Sequence, residues 1–284
     1  MAGTIADWFD LSGKSVVITG AGGALCGTLA RALGGSGMRV AVLDIQEAAA
    51  RKTAEAVISA GGKALPFACS VLDETQLTGV YAKICDAWGA PDFLVNGAGG
   101  NDPRGSTETE FVEPGQKGWE SGGHFLNLDM EGFERTFRLN FNGTVIPCKV
   151  FSRGMVERGA GSIVNFSSMS AFVPLTKTPA YSAAKGAVSN FTRWLAVHYS
   201  HAGVRVNAIA PGFLMTEQLQ FLHRDRQSGE YTPRAKRTLA HTPMGRYGEP
   251  EELVGTIAWL LSDASRFVTG DVVPIDGGFS SYTI

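Results

Sequence analysis

A β-branched run, Ser15-Val-Val-Ile-Thr19, breaks into Gly20-Ala-Gly-Gly23, and a helix-like segment over 25–33 then leads into a second run, Arg39-Val-Ala-Val-Leu43. Strand, glycine turn, helix and strand make a βαβ unit with parallel strands. No other feature restricts the fold as strongly. The same beat continues with helix 46–60, strand 64–69, helix 73–88, strand 93–96, helix 130–157, strand 162–166, a helix through Tyr181 to about 201, strand 204–210, helix 250–262 and strand 272–275. This alternation predicts an α/β fold, a doubly wound parallel sheet flanked by helices. Two stretches interrupt it. Residues 100–127 mix glycine, proline and charge and read as a loop inserted after the fourth strand, at the end where open sheets bind ligands. Residues 213–247 read as an irregular, charged lid region after the sixth. With neither linker nor internal repeat, one domain over 1–284 is expected.

A charged share of 18% and a net charge of −2 leave no basic surface for nucleic acid or an anionic membrane, so neither partner is expected. Cys26, Cys69, Cys85 and Cys148 lie far apart, without metal-like or disulfide-like spacing, and read as reduced packing residues. No metal is expected. The start of the chain lacks a basic-then-apolar signal, and no apolar run is long enough to span a bilayer. A soluble, cytoplasmic protein is the expectation.

Tyr181-Ser-Ala-Ala-Lys185 is the candidate chemistry. On a helix, a four-residue spacing stacks the two side chains on one face. A free phenol titrates near pH 10, and a cation beside it favours the phenolate, bringing the tyrosine toward proton exchange with a carbonyl or alcohol oxygen. Such a pair also recurs by chance on helices, so the rest of the chain must decide. The glycine turn after the first strand suits a pyrophosphate, whose charge meets backbone N–H groups and a helix N-terminus. Asp44, ending the second strand, is at the distance where a carboxylate bonds the adenosine ribose hydroxyls, although it could also cap the next helix. Ile45 and Gln46 supply no cation for a 2′-phosphate, so NAD(H) is expected over NADP(H).

Thr19-Gly20, Asp44, Asn96-Gly-Ala-Gly99, Asn140, Ser168, Tyr181-x-x-x-Lys185 and Pro211-Gly212-x-x-x-Thr216 stand in one order and spacing. In this the chain resembles the short-chain dehydrogenase/reductase family over nearly its whole length. The resemblance implies a single Rossmann-type domain that moves a hydride between a nicotinamide and a carbonyl carbon. It implies that Tyr181 is the acid or base, that Lys185 lowers its pKa and bonds the nicotinamide ribose, that Ser168 holds the carbonyl oxygen, and that Asn140 supports a proton-relay water. For the cofactor it implies Gly20, Gly22, Gly23, Ala24 and Leu25 at the pyrophosphate, and Asp44 with Ile45 at the ribose. Ser70 and Val71 fall at the adenine, and Asn96, Gly97, Ala98 and Gly99 along the adenosine side. Pro211, Gly212, Phe213 and Thr216 fall by the nicotinamide, next to Tyr181 and Lys185. The chain departs from the family where Ala24 and Cys26 replace glycines and where Ser70 replaces an acidic residue. Cys26 in particular is expected to disturb the close packing of strand on helix and to weaken cofactor binding.

Further stretches, Asn96-Gly-Ala-Gly-Gly-Asn101, Pro174-Leu-Thr-Lys-Thr-Pro-Ala-Tyr181 and His241-Thr-Pro-Met-Gly-Arg246, are similar to a subgroup of that family, the D-mannonate oxidoreductases or fructuronate reductases. The implied reaction interconverts D-fructuronate and D-mannonate. A sugar acid needs a cation and polar groups around it, and Lys177, just ahead of Tyr181, is the expected partner of its carboxylate, with Asn101, Ser168 and Tyr181 completing the substrate set. Arg104, His124, His241 and Arg246 are further candidates that equally suit surface or structural roles. Gluconate and its 5-keto form, another polyol, or an acyl thioester stay open as substrates, as does a relative that binds a dinucleotide without turnover. The segment 183–197 is apolar on more than one face, through Val188, Phe191, Trp194, Leu195 and Val197, and a homotetramer or homodimer is expected.

Overall fold

The computed structural model describes residues 3–118, 123–216, 223–224 and 229–283. Seven strands, β1 Ser15–Thr19, β2 Arg39–Asp44, β3 Lys63–Ala68, β4 Phe93–Asn96, β5 Gly161–Phe166, β6 Val204–Pro211 and β7 Val272–Ile275, form one sheet in the order β3-β2-β1-β4-β5-β6-β7. Every pairing is parallel. Apolar residues fill both faces of the inner strands because both faces are covered, so the strands read as continuous apolar runs rather than alternating ones. Each edge strand carries a proline, Pro66 in β3 and Pro274 in β7, at positions a central strand would not tolerate.

The helices are α1 Ile5–Trp8, α2 Ala24–Gly35, α3 Glu47–Ser59, α4 Glu74–Trp88, α5 Met130–Phe151, α6 Arg153–Arg158, α7 Pro179–His198, α8 Pro233–His241 and α9 Val254–Leu261. Alternate strand residues sort the core into two layers. Val16, Ile18, Val40 and Val42 pack against Leu29 and Leu33 of α2, Val57 of α3 and Ile257 of α9. Val17, Ala41, Leu94 and Ile163 pack against Leu77 and Ile84 of α4, Phe151 of α5 and Leu195 of α7. Strand order reverses at β1, which lies between β2 and β4, and the crevice at the carboxyl ends of these strands is where an open α/β sheet receives a ligand.

The structure revises several expected elements. The helix expected over 130–157 breaks at Ser152, whose hydroxyl lies 2.9 Å from the Tyr199 hydroxyl, dividing it into α5 and α6. The last helix opens as a 3₁₀ turn, Pro250–Leu253, before α9, and α7 stops at His198. The stretch 213–247, read as irregular, holds α8, whose first turn is capped by Thr232 accepting from the Ala235 N–H ahead of Pro233 at N1. Residues 217–222 and 225–228 of that stretch lie outside the described residues, as do 119–122 of the expected insertion. What is described of the insertion is anchored: Gly105 lies too close to Gly132 of α5 for a side chain on either, and the Thr107 N–H donates to the Lys177 carbonyl at 2.9 Å. Among the described residues, no helix is long and apolar enough to cross a membrane.

Candidate active site

The glycine turn makes a shelf that side chains would fill. Gly20 has φ +67°, and a Cβ there would lie 2.8 Å from Ala98 Cα, so β1 and the segment after β4 touch through bare backbone. Thr19 fastens that contact by accepting from the N–H groups of Gly97 and Ala98 at 3.1 and 3.2 Å. At Gly22 a Cβ would meet the Asp44 carboxylate, which accepts the Gly22 N–H at 3.0 Å and, through its other oxygen, the Gln46 N–H at 2.9 Å. Asp44 therefore braces the turn rather than serving as the N-cap of α3, a position Gln46 holds. Gly23 caps α2 without a side-chain hydrogen bond, leaving first-turn N–H groups for an anion.

Above this shelf lies a cleft of about 1080 Å³. Gly20, Gly23, Ala24, Leu25, Asp44, Ile45, Ser70, Val71, Gly97, Ala98, Gly99 and Thr216 all line it. Gly22 lies behind it, against Asp44. Asn96 is buried beneath, donating to Asn165 Oδ1 at 2.9 Å, and Asn165 donates in turn to Thr192 of α7, a polar chain that ties the central strands to that helix. Pro211 ends β6, the Gly212 N–H just beyond it donates to the Ile275 carbonyl, and Phe213 packs edge-on against Phe279. One further wall was not foreseen. It comes from α5, through Glu131, Glu134, Arg135, Arg138 and Leu139, whose three- and four-residue spacing marks one stripe of a helix.

The reacting groups converge where β4, β5, α5 and α7 meet. Pro179 begins α7, Tyr181 lies in its first turn, and the Lys185 ammonium lies 5.5 Å from the Tyr181 ring centre. Lys185 is 4% exposed and donates to the Phe166 carbonyl at 2.8 Å. Ser168, after β5, stands near enough to the Tyr181 hydroxyl to draw its pKa down, and it caps the following turn by accepting the Ser170 N–H. Asn140 donates to the carbonyls of Gly100 at 2.6 Å and Thr136 at 2.8 Å, holding the segment after β4 to α5. A Cβ on Gly99 would stand 2.5 Å from Asn140 Oδ1 and 3.4 Å from Lys185 Nζ, so glycine keeps this junction open.

Burial moves both titrating groups. It brings the Lys185 ammonium down to about 8, against a smaller opposing influence of Cys26. It raises the Tyr181 phenol above its ordinary value, with the Ser168 hydrogen bond pulling the other way. Desolvation is the largest influence on Tyr181, and the phenol keeps its proton at neutral pH.

Cys26 also behaves differently from expectation. Its side chain is buried, its thiol pushed up to about 12 by desolvation, and it occupies the room that a Cβ on Gly97 would need. The missing side chain at 97 makes space for the extra one at 26, so the packing of strand on helix is kept. Ser70 points its hydroxyl at the Leu72 N–H and lines the cleft as a neutral group.

The substrate candidates lie beyond. Lys177 has φ +73° and its ammonium stands 3.9 Å from Glu110 of the insertion. Asn101 donates to Ser106. Arg104 pairs with Asp102, Arg246 with Glu252, His124 accepts the Leu126 N–H as the N-cap of a 3₁₀ turn, and His241 packs on Phe279 and Tyr282. Each of these four has a structural partner.

Residues 20–280 match the sequence model of the family described as Enoyl-(Acyl carrier protein) reductase. An uncharacterized oxidoreductase of Haemophilus influenzae is 45% identical over 280 residues, 98% of this chain and 97% of its own length. The uncharacterized oxidoreductase UxuB of Bacillus subtilis is 43% identical over 275 residues, 96% of this chain and 97% of its own. Among solved structures, that of a provisionally named D-mannonate oxidoreductase from Haemophilus influenzae, with bound NAD, superposes with a TM-score of 0.92 at 45% identity, covering 99% of both chains.

Proposed function

The chain belongs to the short-chain dehydrogenase/reductase family, and from that premise we propose that it is an NAD(H)-dependent oxidoreductase interconverting D-fructuronate and D-mannonate. The observation that carries this reading is the meeting of Tyr181, Ser168 and Lys185 beside the cleft, in a chain alike over its full length to an NAD-bound protein of that name. The bare glycine shelf, the N-terminus of α2 and the Asp44 carboxylate fit the pyrophosphate and adenosine ribose of a dinucleotide. When bound, the nicotinamide donates or accepts the hydride.

The chain's own groups handle the proton and the oxygen. Tyr181, protonated at neutral pH, gives its proton to the substrate oxygen in reduction and recovers it in oxidation. Ser168 donates to the same oxygen as negative charge grows there. The Lys185 cation, fixed by the Phe166 carbonyl, favours the phenolate left behind. Asn140 keeps Gly99 and Gly100 against this junction. Lys177 meets the substrate carboxylate, and Asn101 a hydroxyl. The partly stacked Phe191, Trp194 and His198 leave an apolar strip on α7, with Trp194 57% exposed, and this supports self-association as a dimer or tetramer.

An NADH-consumption assay with D-fructuronate, 5-ketogluconate and a neutral ketohexose tests the reading. D-fructuronate is expected to be the best substrate, with NADPH at least about tenfold poorer because Asp44 repels its 2′-phosphate. No turnover of any keto acid, or a preference for NADPH, overturns it.

A further inference from the structure

Three segments far apart in sequence bring their charges together near the start of α7. Arg237 of α8 grips both carboxylate oxygens of Glu110, Nη1 on Oε2 at 3.0 Å and Nη2 on Oε1 at 2.9 Å. The Lys177 ammonium lies 3.9 Å from the same Oε1. Two cations thus share one carboxylate, and the trio keeps one unit of positive charge in excess. Lys177 stands four residues ahead of Tyr181, and it alone among the described non-glycine residues has a positive φ. Its carbonyl is held by the Thr107 N–H of the insertion that carries Glu110.

We propose that Glu110 is an internal stand-in for the substrate carboxylate, and that an acid substrate binds by taking its place between Arg237 and Lys177. This rests on the sugar-acid reading above and adds Arg237 and Glu110 to it as the residues that set selectivity for acids. The two-pronged grip of a guanidinium on a carboxylate transfers unchanged from one carboxylate to another. The pair is also easily opened: the Arg237 side chain is 66% exposed, and ion pairs so open to water resist exchange weakly. Without a substrate, Glu110 keeps the two cations from repelling each other and ties the insertion to α8. With one, Glu110 is released to solvent while the cations stay paired. A neutral polyol gains nothing from the exchange, so the device separates an acid from the corresponding alcohol.

The test is calorimetric titration of the full chain, saturated with NADH, with D-mannonate and with its neutral counterpart D-mannitol. Arg237→Met is expected to weaken D-mannonate at least tenfold and leave D-mannitol unchanged, and Arg237→Lys to recover part of the loss. Glu110→Gln, which removes the competitor, is expected to tighten D-mannonate at least threefold. The proposal is overturned if wild type binds D-mannonate no tighter than D-mannitol, if Arg237→Met affects both ligands alike or neither, or if Glu110→Gln weakens or leaves unchanged the binding of D-mannonate. Turnover distinguishes this from the broader reading. D-fructuronate reduced by wild type, with D-mannonate binding indifferent to Arg237, removes the carboxylate seat alone. Binding that depends on Arg237 without D-fructuronate turnover removes the reaction alone.

Discussion

At the scale of single residues, the most informative contact joins Cys26 to Gly97. A side chain larger than glycine at 26 is tolerated because its neighbour across the turn has none. The pair should therefore behave as a unit. Gly97→Asn alone is expected to destabilise by about 1–3 kcal/mol through overpacking against the thiol. Cys26→Gly alone should cost about 1–2 kcal/mol, from the vacated volume and a glycine within α2. The double variant should lose at least about 1 kcal/mol less than the sum, as expected of residues in contact. Urea unfolding midpoints measure all three, and strict additivity would break the coupling. This relation was not legible in the sequence. Residue 26 lies in the first turn of α2 and residue 97 directly after β4, and only the pairing of β1 with β4 brings the two together. The ionisation of Tyr181 was hidden for a related reason. Its spacing from Lys185 is visible in the sequence, but the desolvation that raises its pKa is a property of the packed site.

At the scale of elements, α7 presents an acid and a cation one turn apart, with their ionisation displaced in opposite directions, and a pH dependence follows. The tyrosine, raised above its usual value, stays protonated through neutrality and supplies the acid that reduction needs. The lysine, lowered to about 8, is charged below that pH and loses its charge above it. The reductive kcat is therefore expected to be level below pH 8 and to fall as pH rises through it. The oxidative rate, which needs the phenolate, should climb with pH instead. Initial rates in both directions across pH 6–10 check this, and a reductive rate unchanged to pH 10 contradicts it. The helix itself was legible in outline, and the spacing of 181 and 185 gave its face. Helix α8 was missed because it buries only Ala235 and Thr238 and so writes little apolar periodicity, leaving Thr232-Pro233 as its one local signal. The break at Ser152 carries no local signal in the sequence, and the hydroxyl that Ser152 meets there, that of Tyr199, lies on a distant segment.

At the scale of the whole molecule, the sheet was the most readable level, since alternating strands and helices with short glycine turns admit few topologies. Its exterior was less so. The sequence marked 183–197 as too apolar for one contact, and the folded chain leaves Trp194 and Val197 on the surface. Light scattering is expected to give a multiple of the single-chain mass, and Trp194→Glu to reduce it; a wild-type monomer would refute the assignment. The position of β1 in the middle of the sheet has a further consequence, during synthesis. The first strand to leave the ribosome must wait for β4 to cover its second edge, and at cellular rates of elongation the delay is roughly 4–15 s. Through that interval a strand that is fully buried in the finished fold offers an unpaired row of hydrogen-bonding groups, the arrangement most open to pairing with another nascent chain. Chaperone demand for this protein should therefore be greatest before its catalytic half has been translated.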